Sequence, residues 1–337
     1  MKKTVFLGAL TVAGLAAGAA SAQTLNDVQD RGTLNCGVTT GLVGFAAPDA
    51  NGEWDGFDVA VCRAVAAAVL QDPTAVEFVP TTGKTRFTAL SSGEIDMLAR
   101  NTTWTFTRDN DLNFEFVGIN YYDGQGFMVP KALGVSSATE LAGATVCIQT
   151  GTTTELNLAD YFRRNNMEYT PVPIETNAEA QQQYLAGACD VYTTDASGLA
   201  ATRAAFENPG DHVVLPEIIS KEPLGPLVRH GDNEWGDIVR WTLNALIAAE
   251  EYGITSTNLD EMAQNGGPEV KRILGTEGNL GEMIGLDAEW ARRAIGAGGN
   301  YGELFARHIG ESTPIGLSRG LNAQWTDGGL LYAPPFR

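Results

Sequence analysis

The hydrophobic positions of this chain alternate between two kinds of segment. The β-rich run TLNCGVTT (33–40) predicts a strand, and GFDVAVCRAVAAAVL (56–70) predicts a helix with Val61, Val65 and Val69 on one face. AVEFVP (75–80) predicts a second strand. KTRFTALSSG (84–93) then predicts a short helix closed by Gly93, ahead of the apolar run EIDMLARN (94–101), a third strand. The rhythm restarts near residue 144. Strand ATVCIQ, helix TTELNLADYFRRN (153–165), strand EYTPVPI, helix NAEAQQQYLAG (177–187) and strand CDVYTTD (189–195) follow in turn. Strands alternating with helices imply parallel pairing in α/β units.

Two of these stretches echo each other. ALSSGEIDMLARNTT (89–103) and YLAGACDVYTTD (184–195) both run from leucine through glycine to an aspartate-bearing strand that ends in polar residues. The pattern suggests two similar α/β lobes, each directing the carboxyl end of a strand toward a shared place, where open α/β sheets bind ligands. Between them, YYDGQGFMVP (121–130) and the proline-punctuated VVLPEIISKEPLGPLV (213–228) are expected to connect the lobes, out and back. The expected division is 23–124 plus 222–337 for the first lobe and 125–221 for the second. A helical pattern covers 233–253, and the remainder is Gly-rich with short helical pieces such as DAEWARRAIGAG. Its fold does not follow from the pattern: it either wraps the first lobe or carries a contact surface.

The first 22 residues belong to a different class. Two lysines precede a short Ala/Gly-rich apolar stretch, and Ala20-Ser21-Ala22 supplies an A-x-A cleavage pattern. An exported chain cleaved after Ala22, with no membrane anchor, is expected. Its formal charge, −19, becomes about −21 once Lys2 and Lys3 leave with the leader. Such a balance repels nucleic acid and anionic membrane surfaces. In an exported chain, four cysteines suggest two disulfides, with three possible connectivities; the early and late positions favour Cys36–Cys62 and Cys147–Cys189. No zinc-ligand spacing, nucleophile elbow or phosphate loop is present, and the three histidines lie far apart. No cofactor or enzyme is called for.

One stretch stands out in so acidic a chain. NTTWTFTRD (101–109) follows an apolar run with four threonines and an arginine. Either it is a turn and a solvated helix start, with Arg108 paired to Asp109 or Asp111, or something anionic sits there.

The order of GFD (56–58), RFTALSSGEID (86–96), T-x-x-x-x-R (103–108), GTTTE (151–155) and GACDVYTTD (187–195) resembles the polar amino-acid-binding proteins of ABC importers. The likeness is closest to the subgroup serving general L-amino-acid or glutamate/glutamine/aspartate/asparagine uptake, in NYYDGQGFMV, QTGTTTE, EIISKEPLGP and GLNAQWTDGG. The resemblance implies an α/β, type II two-lobed periplasmic binding fold, each lobe a mixed sheet flanked by helices, with two hinge strands. It further implies a periplasmic monomer that takes a free L-amino acid to an inner-membrane permease.

It also implies roles. Arg108 would clamp the ligand α-carboxylate, a task suited to a planar guanidinium. Thr103 would add a hydroxyl donor, with Asn101 and Thr102 beside it. Asp195 would receive the ammonium group from the other lobe, although it could equally cap the helix that follows. Gly151, Thr152 and Thr153 would offer backbone donors at a helix start, where Glu155 also suits a capping box. Arg86 would reach a side-chain carboxylate. Thr39 stands where basic-amino-acid binders carry an acid, and Leu42 where they carry an aromatic, which argues against lysine or histidine as ligand and suits both acids and amides. Ala60 departs from the usual GFDVD. Two rival readings remain: a dehydratase-like enzyme on the same fold, and a sensory binding protein.

Overall fold

The computed structural model describes residues 23–337; the expected leader and its cleavage site lie outside that range. Two five-stranded mixed sheets dominate. The first runs in the order Val76–Thr81, Leu34–Thr39, Met97–Leu98, Leu227–Arg229, Phe114–Phe116. The second runs Thr170–Ile174, Thr145–Gln149, Val191–Asp195, Gln125–Pro130, His212–Val214. In each, the first three strands are parallel and the next joins antiparallel. The echoing segments therefore hold equivalent places: Met97–Leu98 and Val191–Asp195 are each third in their sheet.

Side-chain alternation explains the second sheet's double cover. Phe127, Val129, Val146, Ile148 and Val191 face one apolar cluster, while Met128, Cys147 and Tyr192 face the other. Helix Thr153–Arg164 lines the first cluster through Leu158, Tyr161 and Phe162. Helix Asn177–Leu185 lines the second through Ala180 and Tyr184. Both disulfides take the expected pairing, Cys36–Cys62 and Cys147–Cys189, and each ties elements within one lobe.

The expected connectors divide finely. Tyr121–Asp123 pairs antiparallel with Glu222–Leu224 as the two crossing strands, and the flanking residues enter the sheets. The third strand of the first sheet is shorter than the run 94–101 suggests. It pairs only at Met97–Leu98, because Asn101 turns to a left-handed φ of 40° and Arg100 leaves the ladder. Helix Phe57–Leu70 is buried on nearly every side, Val61, Val65 and Val69 included. The C-terminal region covers it: helices Trp290–Gly296 and Tyr301–His308 place Trp290, Ala294, Ile295, Tyr301 and Phe305 in the same core. The remainder thus wraps the first lobe. No described helix is long and apolar enough to cross a membrane.

Candidate ligand-binding site

The carboxyl ends of the parallel strands open onto one cavity between the lobes. Thr39, Leu42, Arg86, Arg100, Asn101 and Thr103 line it from the first lobe; Gln149, Thr152, Thr153, Thr154, Asn177, Tyr192, Thr194, Asp195 and Gly198 line it from the second. The lobes touch across it. Arg86 Nη2 donates to the Gly151 carbonyl (3.3 Å), Asn177 Nδ2 to Thr39 Oγ1 (3.1 Å), and Lys84 pairs with Glu175 (2.7 Å).

Three arginines crowd the first-lobe wall. Arg86, Arg100 and Arg108 are 2%, 5% and 7% exposed, and among the described residues none forms an ion pair. Arg86 stacks on Phe87 and donates Nη1 to Thr102 Oγ1 (3.1 Å); its buried Nε has no partner in the described structure. Arg100 donates only Nε, to the Thr81 carbonyl (3.1 Å). Arg108 is not among the residues that line the cavity; it lies over the same Phe87 ring, with Nη1 on the carbonyl of Thr103, which does line it (2.8 Å). Burial lowers all three, Arg100 and Arg108 to about 10, and mutual repulsion adds to the effect on Arg86 and Arg100.

Acids are placed with the opposite economy. Asp195 ends its strand facing the cavity, and its carboxylate takes no hydrogen bond from the described protein. It does not cap the helix Ala196–Ala204; the Ser197 N–H and hydroxyl go to Asp123 instead. Burial, then Asp123 and Glu222, push the Asp195 carboxyl well above its ordinary range. Asp123 is raised to about 6, chiefly by burial. Asp58, of the GFD motif, is likewise raised to about 6 by burial, and accepts from Asn120 Nδ2 (3.2 Å) and the Asn101 N–H (3.3 Å), which fixes the loop carrying Arg100.

Several expected site residues take different partners. The Thr103 hydroxyl donates to Glu222, an acid on the returning crossing strand that also accepts from Thr153 (2.9 Å), Asn157 (2.7 Å) and Ser220 (2.6 Å). Thr103 therefore turns lone pairs toward the cavity, rather than the proton expected of it. The Gly151 N–H is not available to a ligand, because Glu155 Oε2 accepts it (3.0 Å). Thr152 caps the helix, accepting from the Glu155 N–H (3.2 Å). Thr102 is fully buried and supports Arg86 from behind. Arg100, Asn177 and Glu222 were not singled out from the sequence.

The fold agrees with what known proteins show. The profile of the bacterial extracellular solute-binding proteins, family 3, matches residues 34–257. The chain belongs to this family. A glutamate/glutamine/aspartate/asparagine-binding protein of Rhodobacter capsulatus is 68% identical over the full length of both chains. A general L-amino acid-binding periplasmic protein of Rhizobium johnstonii is 58% identical, again over both full lengths. Among solved structures, an ABC transporter/periplasmic binding protein from Brucella ovis, with glutathione bound, superposes with a TM-score of 0.91 at 57% identity. It covers 94% of this chain, and all of that chain is matched. These family members share the two-lobed periplasmic binding fold, and the relatives are binding proteins of amino-acid transport.

Proposed function

We propose that this protein captures free L-amino acids in the periplasm, chiefly glutamate, glutamine, aspartate and asparagine, and delivers them to an inner-membrane ABC permease. The observation that carries the reading is the ionic imbalance of the cleft. Three buried guanidiniums have no carboxylate partner, and one half-buried carboxylate facing the cavity, Asp195, has no donor. Leaving such groups unpaired is costly, and a zwitterion with an acidic or amide side chain supplies the missing partners. The two full-length relatives named for amino-acid binding support the same ligand class.

In this reading Arg108, held next to the cavity by its bond to Thr103, turns its remaining donors to the α-carboxylate as the ligand enters, while Asp195 and the Thr103 lone pairs receive the ammonium group. Asn101 and Thr153 close the cavity around them, with Thr102 holding the arginines in place. The lobes divide at 124/125 and 221/222, and bending of the crossing strands brings both onto one ligand, which gives the closed state its differential affinity. The leader is removed after Ala22, the mature chain acts as a monomer, and no chemical turnover is assigned to the site.

Calorimetry of ligand-stripped protein against the twenty amino acids tests this. Micromolar binding, about −8 kcal/mol, is expected for the four named ligands, and Arg108→Ala should abolish it for all of them. Normal glutamate binding by Arg108→Ala would remove the clamp, and a preference for lysine would remove the ligand class.

A further inference from the structure

Resting on the reading above, we propose that Arg100, Thr39 and Asn177 form the subsite that reads the ligand side chain. The side-chain reading thereby moves from Arg86 to Arg100. The subsite offers donors and an acceptor together, so it takes a carboxylate and a primary amide alike.

Strand register brings the first two residues together. Met97–Leu98 lies parallel beside Leu34–Thr39, with Gly37 opposite Leu98. Past Leu98 the chain leaves the ladder, and Arg100 reaches the end of the Thr39 strand through a shared neighbour, Thr81. Thr39 in turn stands opposite Thr81 on its other side, and the Thr81 carbonyl accepts Arg100 Nε. The guanidinium is thereby drawn toward these strand ends. Its two Nη groups make no hydrogen bond in the described structure, although the side chain is only 5% exposed and lines the cavity. A buried guanidinium edge held at Nε and free at Nη is arranged for a planar acceptor pair.

Asn177 arrives from the second lobe. Its amide donates to Thr39 Oγ1 and to the Gly41 carbonyl, both at 3.1 Å. Those two bonds use both Nδ2 hydrogens, which leaves Oδ1 as the free group of a residue lining the cavity. Because Thr39 Oγ1 accepts from Asn177, its own hydroxyl proton has no acceptor among the described residues. The subsite thus presents the Arg100 Nη edge and the Thr39 proton as donors, with Asn177 Oδ1 as acceptor. A carboxylate takes the donors. An amide turns its carbonyl to Arg100 and gives an N–H to Asn177.

Arg86 is built for a different task. Each of its Nη groups spends one N–H, on Thr102 and on Gly151 across the cleft, so neither is free as a pair in the way the two Nη groups of Arg100 are. It fastens the lobes together more than it reads the ligand.

The glutamate-to-glutamine affinity ratio is the measurement, by calorimetry on the refolded, ligand-stripped protein. Asn177→Asp places an acceptor-only acid at the subsite and should move the ratio toward glutamine by about 10- to 100-fold. Arg100→Met should weaken both ligands and glutamate the more, whereas Arg86→Met should weaken both in near-equal proportion. Thr39→Val should weaken both, and Thr39→Ser should restore them, which keeps the test open if Asn177→Asp does not fold. A ratio that moves in Arg86→Met and stays fixed in Arg100→Met and Asn177→Asp would overturn the proposal. If the unmutated protein binds neither ligand, the functional reading itself fails, and that outcome is distinct.

Discussion

Asp195 carries the clearest electrostatic consequence. With no protein donor, burial and the nearby Asp123 and Glu222 raise its carboxyl well above the ordinary range, so it holds its proton to higher pH than a free aspartate does. A ligand ammonium group favours the charged form, so binding should expel that proton. The sign follows from linkage: while the empty site is protonated and the complex is not, affinity rises with pH, up to tenfold per unit, and levels off above the empty-state value. Calorimetry of glutamate over a pH series, in buffers of different ionisation enthalpy, should show net proton release wherever affinity rises with pH, and Asp195→Asn should eliminate it. Release that is zero at every pH of the series would leave Asp195 without this role. Of the residues expected at the ligand, Thr39, Arg86, Asn101, Thr103, Thr153 and Asp195 line the cavity, whereas Thr102, Arg108 and Gly151 do not. Arg100 was not legible in the sequence, because an arginine after an apolar run in an acidic chain reads as a solvated counter-charge. Asn177 looked like an ordinary helix start, and Glu222 one carboxylate among many. Only the Thr81 carbonyl that draws the Arg100 Nε toward the end of the Thr39 strand distinguishes Arg100, and that neighbour follows from the sheet order.

The strands and helices themselves were largely legible, since 2-residue and 3.6-residue periods are written into short segments. Helix Arg86–Ser92 ends where expected, with Gly93 left-handed at φ 79° and its N–H on the Leu90 carbonyl. Sheet order, the splitting of the connectors and the close approach of the lobes were not, because pairing between distant segments leaves no local period. Gly83 and Gly151 show what that approach demands. A Cβ on Gly83 would lie 2.5 Å from the Thr150 carbonyl oxygen and 3.1 Å from Thr152 Cγ2, both on the opposite lobe. Gly83→Val should therefore obstruct closure while leaving each lobe's core intact. The expected outcome is a loss of glutamate affinity of tenfold or more, with the ligand-free melting temperature within about 2 °C of the parent. Solution scattering should show no contraction on adding glutamate. A variant that contracts and binds as the parent does would mean the lobes need not meet at this point.

At the scale of the whole molecule, the residues beyond the family match at 257 are part of the first lobe and brace its hinge. One sign of this was in the sequence: AVCRAVAAAVL offers helix Phe57–Leu70 almost no polar face, so something had to cover its outer side. Arg293 fastens that cover, donating to the Ala67 (3.1 Å) and Ala68 (3.3 Å) carbonyls near the helix end. Further on, the same region reaches the outgoing crossing strand. Tyr301 donates its hydroxyl to the Asn120 carbonyl (2.8 Å), and Asn322 pairs with both backbone groups of Tyr122, accepting its N–H (2.7 Å) and donating to its carbonyl (3.1 Å). Tyr122 stands opposite Pro223 in the strand pair, where its polar groups point away from the partner and a proline costs no ladder bond. Asn322 thus serves as a one-residue third strand on the outer edge of the hinge. Asn322→Ala should strip that edge without touching the cleft. Hydrogen exchange over the segment around Tyr122 should then quicken about tenfold or more, while exchange in the second-lobe sheet stays unchanged. Stability should fall by about 1–3 kcal/mol, the usual cost of leaving such groups unpaired. Because a looser hinge changes how readily the lobes part, the glutamate dissociation rate should change as well, although no atom near the ligand has been altered. Protection at Tyr122 equal to the parent's would show that the crossing strand pair holds the hinge alone, and that the C-terminal region only covers the helix.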